Sequence, residues 1–450
     1  MANEVRAING IGIVDVQELN GVENSTSNQN MEKLNGSTWE YGGTTVTEAI
    51  PKTGESTFSD NDDSFTYDAV YQVVKVLDDY RALIMWTAGS GGTGGKTFIK
   101  VARAASGGTT ISYGTKAQVN ATGAWTSGIG GLDVDLITNN KALVTAQDED
   151  DSNKGKAYVI TISGTPATSV SVGTAATYEA DATAWSTVAA DRFTADKYVI
   201  VYDHTGDGEI QAKVCTVSGT TPSFGSAAVV ADMSDYSGVT DIFYPYVEAD
   251  PFNTGRYLVA WNLYNSTSGA FRQRLTIMSV SGTTITVGTS VEIQNGSSKQ
   301  GATWDKRTKN RIFCVVLDNE DSGKAKITPC SVEDTVNGDG KTITKGGTQY
   351  TYYSTAGCEE ATVVTDYYIP NIVLMSRGRG ASDEAGGFYS APATGLTLGT
   401  IATEDADFIS VGNYAAGLTS ASDPFNAGWF WGAGRQEEGF IRAGILGGTY

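Results

Sequence analysis

A short polar–apolar strand, a glycine, a small residue and a second extended piece recur along this chain, and the recurrence restricts it to a repeat architecture. The copies are TTISYGTKAQV (residues 109–119), TSVSVGTAATY (168–178), TPSFGSAAVV (221–230), TTITVGTSVEI (283–293), KTITKGGTQYTY (341–352) and GLTLGTIATE (395–404). A seventh copy, STWEYGGTTVTEAI, stands at 37–50. The glycines fall at 42, 114, 173, 225, 288, 346 and 399, and from 114 onward they are 52 to 63 residues apart. The first interval is 72, because the polar loop PKTGESTFSDNDDSFT is inserted there.

Ahead of each glycine from 114 onward lie the other strands of a unit. Runs such as KYVIVYD (197–203) and RYLVAWNL (256–263) are rich in β-branched and aromatic residues and form a second-strand series. IQAKVCTVSG (210–219) and RQRLTIMSVSG (272–282) belong to a third-strand series. Divergent stretches such as AVYQVV, GLDVDLI, AWSTVAA and IFYPYVEA precede the second strands and are expected to be innermost. The last unit, NAGWFWGAG then EEGFIRAGIL, lacks a glycine-bearing outer strand, and the N-terminal region carries a spare one. Both series therefore count to seven. The expected fold is all-β: a seven-bladed β-propeller over 37–450, its last blade closed by an N-terminal strand, which removes two exposed sheet edges.

Residues 1–36 are different and are read as an N-terminal docking arm. They hold three copies of an apolar residue followed by Asn-Gly: Ile8-Asn9-Gly10, Leu19-Asn20-Gly21 and Leu34-Asn35-Gly36. VDVQELNG and NMEKLNG read as single helical turns stopped by Asn-Gly. Such pieces build no core, and the arm is expected to order on a partner.

The chain has a formal charge of -20 and a pI of about 4.4. That disfavours nucleic acid and anionic membranes as partners. No apolar run is long enough for a membrane helix. The start, MANEVRAINGIGIVDV, lacks a basic segment followed by a long apolar one, so signal-peptide export is not expected. Of the four cysteines, Cys314 and Cys330 flank one hairpin; the preferred reading is buried thiols in a reducing cytosol, with a disulfide between these two left open.

Catalytic motifs are missing. The lone histidine, His204, lies in the turn YDHTGDGEI and reads as a solvated turn residue. The sequence has no G-x-S-x-G, no H-E-x-x-H and no P-loop, and Gly-rich AGSGGTGGKT at 88–97 joins two strands rather than opening a helix. Acidic loops between second and third strands carry Asp148, Asp150 and Asp151; Asp203, Asp207 and Glu209; and Asp318, Glu320 and Asp321. They occupy equivalent places in their units and are candidate surface-binding loops. No metal or other cofactor is expected, with Ca²⁺ on these oxygen-rich turns left open because no complete EF-hand pattern occurs. Carboxylates on the innermost strands, Asp133, Asp135 and Glu248, leave room for glycoside hydrolysis. Trp86, Trp261, Trp429 and Trp431 read as core; Trp185 and Trp304 sit just before innermost strands, where a place at the channel mouth is open to them but core packing is the preferred reading.

The V-S-G-T-T-x-x-x-G-T pattern of Val280 to Thr289, with its relative at Val217 to Ser226, and the Asn-Gly leader AINGIGIVDVQELNGV resemble segments of tailed-bacteriophage virion proteins. The resemblance implies a non-enzymatic structural or receptor-binding protein of the virion, a tail or head appendage. It implies synthesis in the host cytoplasm and multiple copies on a particle. Its partners would be other virion proteins and a host surface glycan or protein. The alternative is a carbohydrate-binding or carbohydrate-cleaving propeller, phage-borne or secreted.

Overall fold

The structure is a computed structural model. It describes residues 111–119, 132–138, 140–164, 167–296, 301–334, 339–354 and 386–409 without a break, and elsewhere the strands given below. The chain divides into two compact units, Met1–Thr47 and Glu48–Tyr450.

In the first unit the described residues are short paired strands. Ala7–Ile8 pairs with Ile11–Gly12, Glu18–Leu19 with Val22–Glu23, and Lys33–Leu34 with Ser37–Thr38. Each Asn-Gly dipeptide falls between two directly paired residues: Ile8 and Ile11, Leu19 and Val22, Leu34 and Ser37. This corrects the expected helical turns. Asn-Gly suits a helix end and a two-residue hairpin equally, and the flanking segments are too short to nucleate a helix. Of the proposed docking residues, Ile8, Leu19 and Leu34 lie in these strands. Asn9, Gly10, Asn20, Gly21, Asn35 and Gly36 lie outside the described residues.

The second unit is a seven-bladed β-propeller. Blade one comprises Ala69–Asp78, Arg81–Ala88, Lys96–Ala104 and an outer strand in two pieces, Ile111–Tyr113 and Ala117–Gln118. Blade two comprises Leu132–Thr138, Lys141–Asp148, Lys154–Gly164 and Ala167–Val172. The long strand Ala176–Ala190 belongs to two blades: its first half pairs with the third strand of blade two, and its second half is the inner strand of blade three. Blade three continues with Lys197–His204, Glu209–Ser218 and the outer pieces Thr221–Phe224 and Ala228–Asp232. The inner strands of blades four to seven are Val239–Ala249, Ala302–Trp304, Ala361–Thr365 and Thr419–Ser422. Successive inner strands touch, and that of blade seven touches that of blade one, so the ring is closed.

The closing strand is Lys52–Phe58, antiparallel to Ile441–Leu446 of blade seven. It was expected at 37–50. Ser37 and Thr38 pair instead within the first unit, and residues 39–51 lie outside the described residues. The closing strand comes from the segment read as an inserted polar loop, where KTGESTF has little of the composition of a strand.

Two-sided burial explains the apolar second strands. All eight residues of Lys197–His204 are buried. Tyr198, Ile200 and Tyr202 pack with Leu143 and Val159 of blade two. Val199 and Val201, pointing the other way, pack with Tyr257, Val259 and Trp261 of blade four. Blade four repeats this with Leu258 and Ala260 against Trp304 and Ile312 of blade five. Trp304 is fully buried, in keeping with the preferred core reading. Cys314 and Cys330 are buried free thiols, two residues out of register with each other: Ile312 faces Cys330 and Cys314 faces Thr328.

In blades one to six the signature glycine marks the break that follows the first piece of the outer strand. The N–H groups of Gly114, Gly173, Gly225, Gly288, Gly346 and Gly399 donate to third-strand carbonyls of Val101, Val159, Val214, Ile277, Pro329 and Pro392, at 2.8–2.9 Å. Close approach, not unusual φ, selects glycine here. A Cβ on Gly114 would lie 2.1 Å from the Thr168 carbonyl oxygen of the next blade, and one on Gly288 would lie 2.8 Å from Lys341 Cβ. A different glycine makes the tight turn from third to outer strand. Gly219, Gly282 and Gly395 have φ of +61°, +60° and +55° and begin two-residue loops between paired residues.

Gly346 and Gly347 separate these effects. A Cβ on Gly346 would sit 2.4 Å from the Pro329 carbonyl oxygen, whereas one on Gly347 meets nothing within 4 Å. Gly346→Ala is expected to cost about 1–3 kcal/mol by overpacking, and Gly347→Ala to stay within about 0.5 kcal/mol of the parent. Urea denaturation of the two variants beside the parent chain measures the difference.

Candidate functional site

The inner strand of each blade is a sheet edge, and its outward N–H groups need acceptors. The neighbouring blade supplies them. Asp133 Oδ2 accepts from Val188 N–H at 3.1 Å, and Asp135 Oδ2 from Ala190 N–H at 2.8 Å. Glu248 Oε2 accepts from Trp304 N–H at 2.8 Å, and Thr365 Oγ1 from Lys306 N–H at 3.1 Å. The carboxylates singled out in the sequence thus stitch blade to blade around the axis.

Cations face them. Lys75 of blade one lies 3.7 Å from Asp135, and Lys306 forms an ion pair with Glu248. Burial pushes the Asp133 pKa up to about 6, against the pull of Lys75 and of the Val188 N–H. Burial also raises that of Asp135, but Lys75, Arg192 and the Ala190 N–H outweigh it and leave the pKa lowered. The result is a buried pair, two residues apart on one strand face, in which one carboxyl holds its proton longer than the other. Lys75, Arg192 and Lys306 carried no sequence signal, because a lysine or arginine on an irregular inner strand looks like any surface cation.

The acidic loops are arranged differently. Two share the spacing Asp-x-x-Asp-x-x-Lys-x-Lys, at 148–156 and 318–326. Asp151 bonds Lys154 and Lys156, and Asp321 contacts Lys324 and Lys326. Asp318 accepts from the N–H groups of Glu320 and Asp321 and from Lys326 at 2.7 Å. These carboxylates are neutralised within their own loops, which leaves little for Ca²⁺ or a partner. Asp148 is half-buried, Asp150 exposed, and Glu209 accepts from Gln211 at 2.6 Å. Asp203 is buried rather than displayed, and burial, then Asp241, push its pKa up to about 8. His204, read as solvated, is 6% exposed.

One repeat escaped the sequence reading. Asp191, Asp250 and Asp305 each end an inner strand, and a Lys or Arg follows six residues later, at 197, 256 and 311. Each Asp Oδ1 accepts two N–H groups of the turn. The Asp250 and Asp305 Oδ2 atoms pair with Arg256 and Arg311, which reach onward to main-chain carbonyls of the next blade, Gly340 and Gly395. The spacing of six was the available signal.

The sequence matches no family model and no curated protein. Solved structures match the fold. Sqt1 from Chaetomium thermophilum aligns with a TM-score of 0.50 at 7% identity, over 89% of this chain and 99% of its own. An alpha-L-arabinanase from Penicillium chrysogenum aligns with a TM-score of 0.44 at 13% identity, over 73% and 93%. An alpha-L-arabinofuranosidase from Fusarium graminearum aligns with a TM-score of 0.43 at 13% identity, over 73% and 91%. At these identities the likeness speaks for the fold alone. The expectation of a chain without enzymatic activity is corrected to this extent: solved propellers that share the fold include glycoside hydrolases, so the fold gives no ground for calling the chain non-enzymatic.

The raised Asp133 pKa has a consequence for stability. The group binds its proton more tightly folded than unfolded, so its contribution is intact below about pH 4 and lost as pH rises through about 6. The loss is about 3 kcal/mol for a shift of this size. Asp133→Asn keeps an acceptor for Val188 and does not titrate. Relative to the parent it is expected to gain about 3 kcal/mol in unfolding free energy between pH 4 and pH 7, as read by denaturation at both values.

Proposed function

We propose that this chain is a carbohydrate-directed propeller that cleaves glycosidic bonds at the Asp133–Asp135 pair. What supports the reading is a pair of neighbouring buried carboxyls on the innermost strand whose surroundings push their pKa values in opposite directions. Glycoside hydrolysis needs one carboxyl protonated and one ionised near the same bond. Asp133 suits the acid and Asp135 the base. Their partners, the N–H groups of Val188 and Ala190, are two strand residues apart, so the carboxyls stand about 7 Å from each other. That spacing leaves room for a water and fits the inverting geometry of about 6.5–9.5 Å. Arabinose-containing polysaccharides, named by the matched arabinanase and arabinofuranosidase, are the first substrates to try.

A second reading adds a place for this propeller: a tailed-phage particle, with residues 1–36 as the docking arm and host-surface glycan as the target. Paired strands with only two rungs, such as Ala7–Ile8 with Ile11–Gly12, fall below what is stable alone in water, which favours an arm completed by a partner.

Reducing-end release from a polysaccharide panel tests the first reading. The parent chain is expected to act on at least one member, giving products of inverted anomeric configuration by NMR. Asp133→Asn and Asp135→Asn are each expected to lower kcat by about 10²-fold or more, with circular dichroism at the assay pH showing that each variant is folded. Absence of release from every polysaccharide, or full activity in both variants, would sink the assignment.

A further inference from the structure

A second cluster of chemistry lies away from the axial carboxyls, where blades two and three meet. Glu179 and Asp181 are two residues apart on the first half of the shared strand Ala176–Ala190. His204 ends the second strand of blade three and pairs with Thr183 of that same strand. One ligand atom from each of Glu179, Asp181 and His204 lies within 4.8 Å of the other two.

The imidazole is the decisive member. His204 is 6% exposed, and its Nδ1, on the Asp207 side of the ring, is not aligned for a hydrogen bond, so the ring is held by no strong bond on that side. Nδ1 faces Asp207 Oδ2 at 3.3 Å, and Nε2 faces Asp181 Oδ2 at 3.7 Å. The second distance is too long for a hydrogen bond. It is close to the separation of two donors on one tetrahedral ion, about 3.4 Å for metal–ligand bonds of about 2.0–2.1 Å. Asp207 stands on the far side of the ring, where a carboxylate fixes the tautomer of a metal-bound histidine.

Glu179 is held in place. Its Oε1 accepts from the Ala180 and Asp181 N–H groups at 2.8 and 3.2 Å. Its Oε2 accepts from the Tyr202 hydroxyl at 2.8 Å and from Lys213 at 3.0 Å. The Lys213 ammonium works against a second cation and limits the affinity of the site.

We propose that Glu179, Asp181 and His204 bind one divalent first-row transition cation, with Asp207 orienting the imidazole from behind. The donor set of one imidazole and two carboxylates suits such an ion better than Ca²⁺, which takes six to eight oxygens. The site is independent of the hydrolytic reading, since it uses none of the axial residues.

Zn²⁺ titration of the chelator-treated full chain by calorimetry tests this, with Co²⁺ absorption as a second readout. One equivalent is expected. Asp181→Asn is expected to weaken binding at least tenfold, and its side chain is 78% exposed, so the fold is not at stake. Asp207→Asn is expected to weaken it about 10–100-fold. Lys213→Met is expected to tighten it. The proposal is overturned if the parent chain takes up no equivalent of Zn²⁺, or if Asp181→Asn and His204→Gln bind it as tightly as the parent.

Discussion

The second strands of the described blades have no solvent face, and much of the structure follows from that. Tyr198, Ile200 and Tyr202 look one way and Val199 and Val201 the other, and both sets are buried against a neighbouring blade. A lone sheet of this composition would expose two apolar faces and an unpaired edge. Stability therefore resides in the interfaces between blades, as in other repeat architectures where each unit contacts its neighbours. The signature glycines belong to the same constraint. Gly114, Gly225 and Gly288 let the outer hairpin of the next blade approach main chain directly, which holds the rim as close as the apolar layers require.

Two-sided burial also decides where charge can go. Much of it gathers at turns and sheet edges. At the turns, Asp250 with Arg256 and Asp305 with Arg311 join one blade to the next, and both partners are almost fully buried. Such pairs are weak net stabilisers but costly to break, since an unpaired buried charge remains. They fix the relative position of adjacent blades more than they add to the total. At the inner edge, Asp133, Asp135 and Glu248 take up N–H groups of the next blade. The low-dielectric setting that makes these contacts strong is the same one that raises the Asp133 pKa and separates it from that of Asp135.

The architecture was legible because the apolar second strands and the glycine signatures are each forced by packing. A seven-count in both series was enough to require a ring. The closing strand was misplaced because Lys52–Phe58 closes the blade with main-chain hydrogen bonds, and its sequence carries no glycine signature to announce it. Asn-Gly misled in the first unit because the same left-handed preference serves a helix end and a hairpin. For the sites, Asp133, Asp135 and Glu248 could be named once inner strands were assigned. Their partners could not, since Lys75, Arg192 and Lys306 come from other blades, and nothing in a linear sequence marks which surface lysine meets a carboxylate across a ring. His204 was read as solvated from its turn-like neighbours, yet the sheet register carries it under Asp181 and Asp207.

The strand Ala176–Ala190 brings the two candidate sites into one account. Its first half carries Glu179 and Asp181, and its second half offers the Val188 and Ala190 N–H groups to Asp133 and Asp135. Asp181 and Val188 are seven residues apart, which bounds their separation at about 24 Å. The pairing register shifts between Thr183 and Ser186, so the ladder is interrupted between the halves. A bulge at that place turns the strand from the rim of one blade into the axial edge of the next. Two chemistries on one strand are compatible with this fold because the strand changes blade between them.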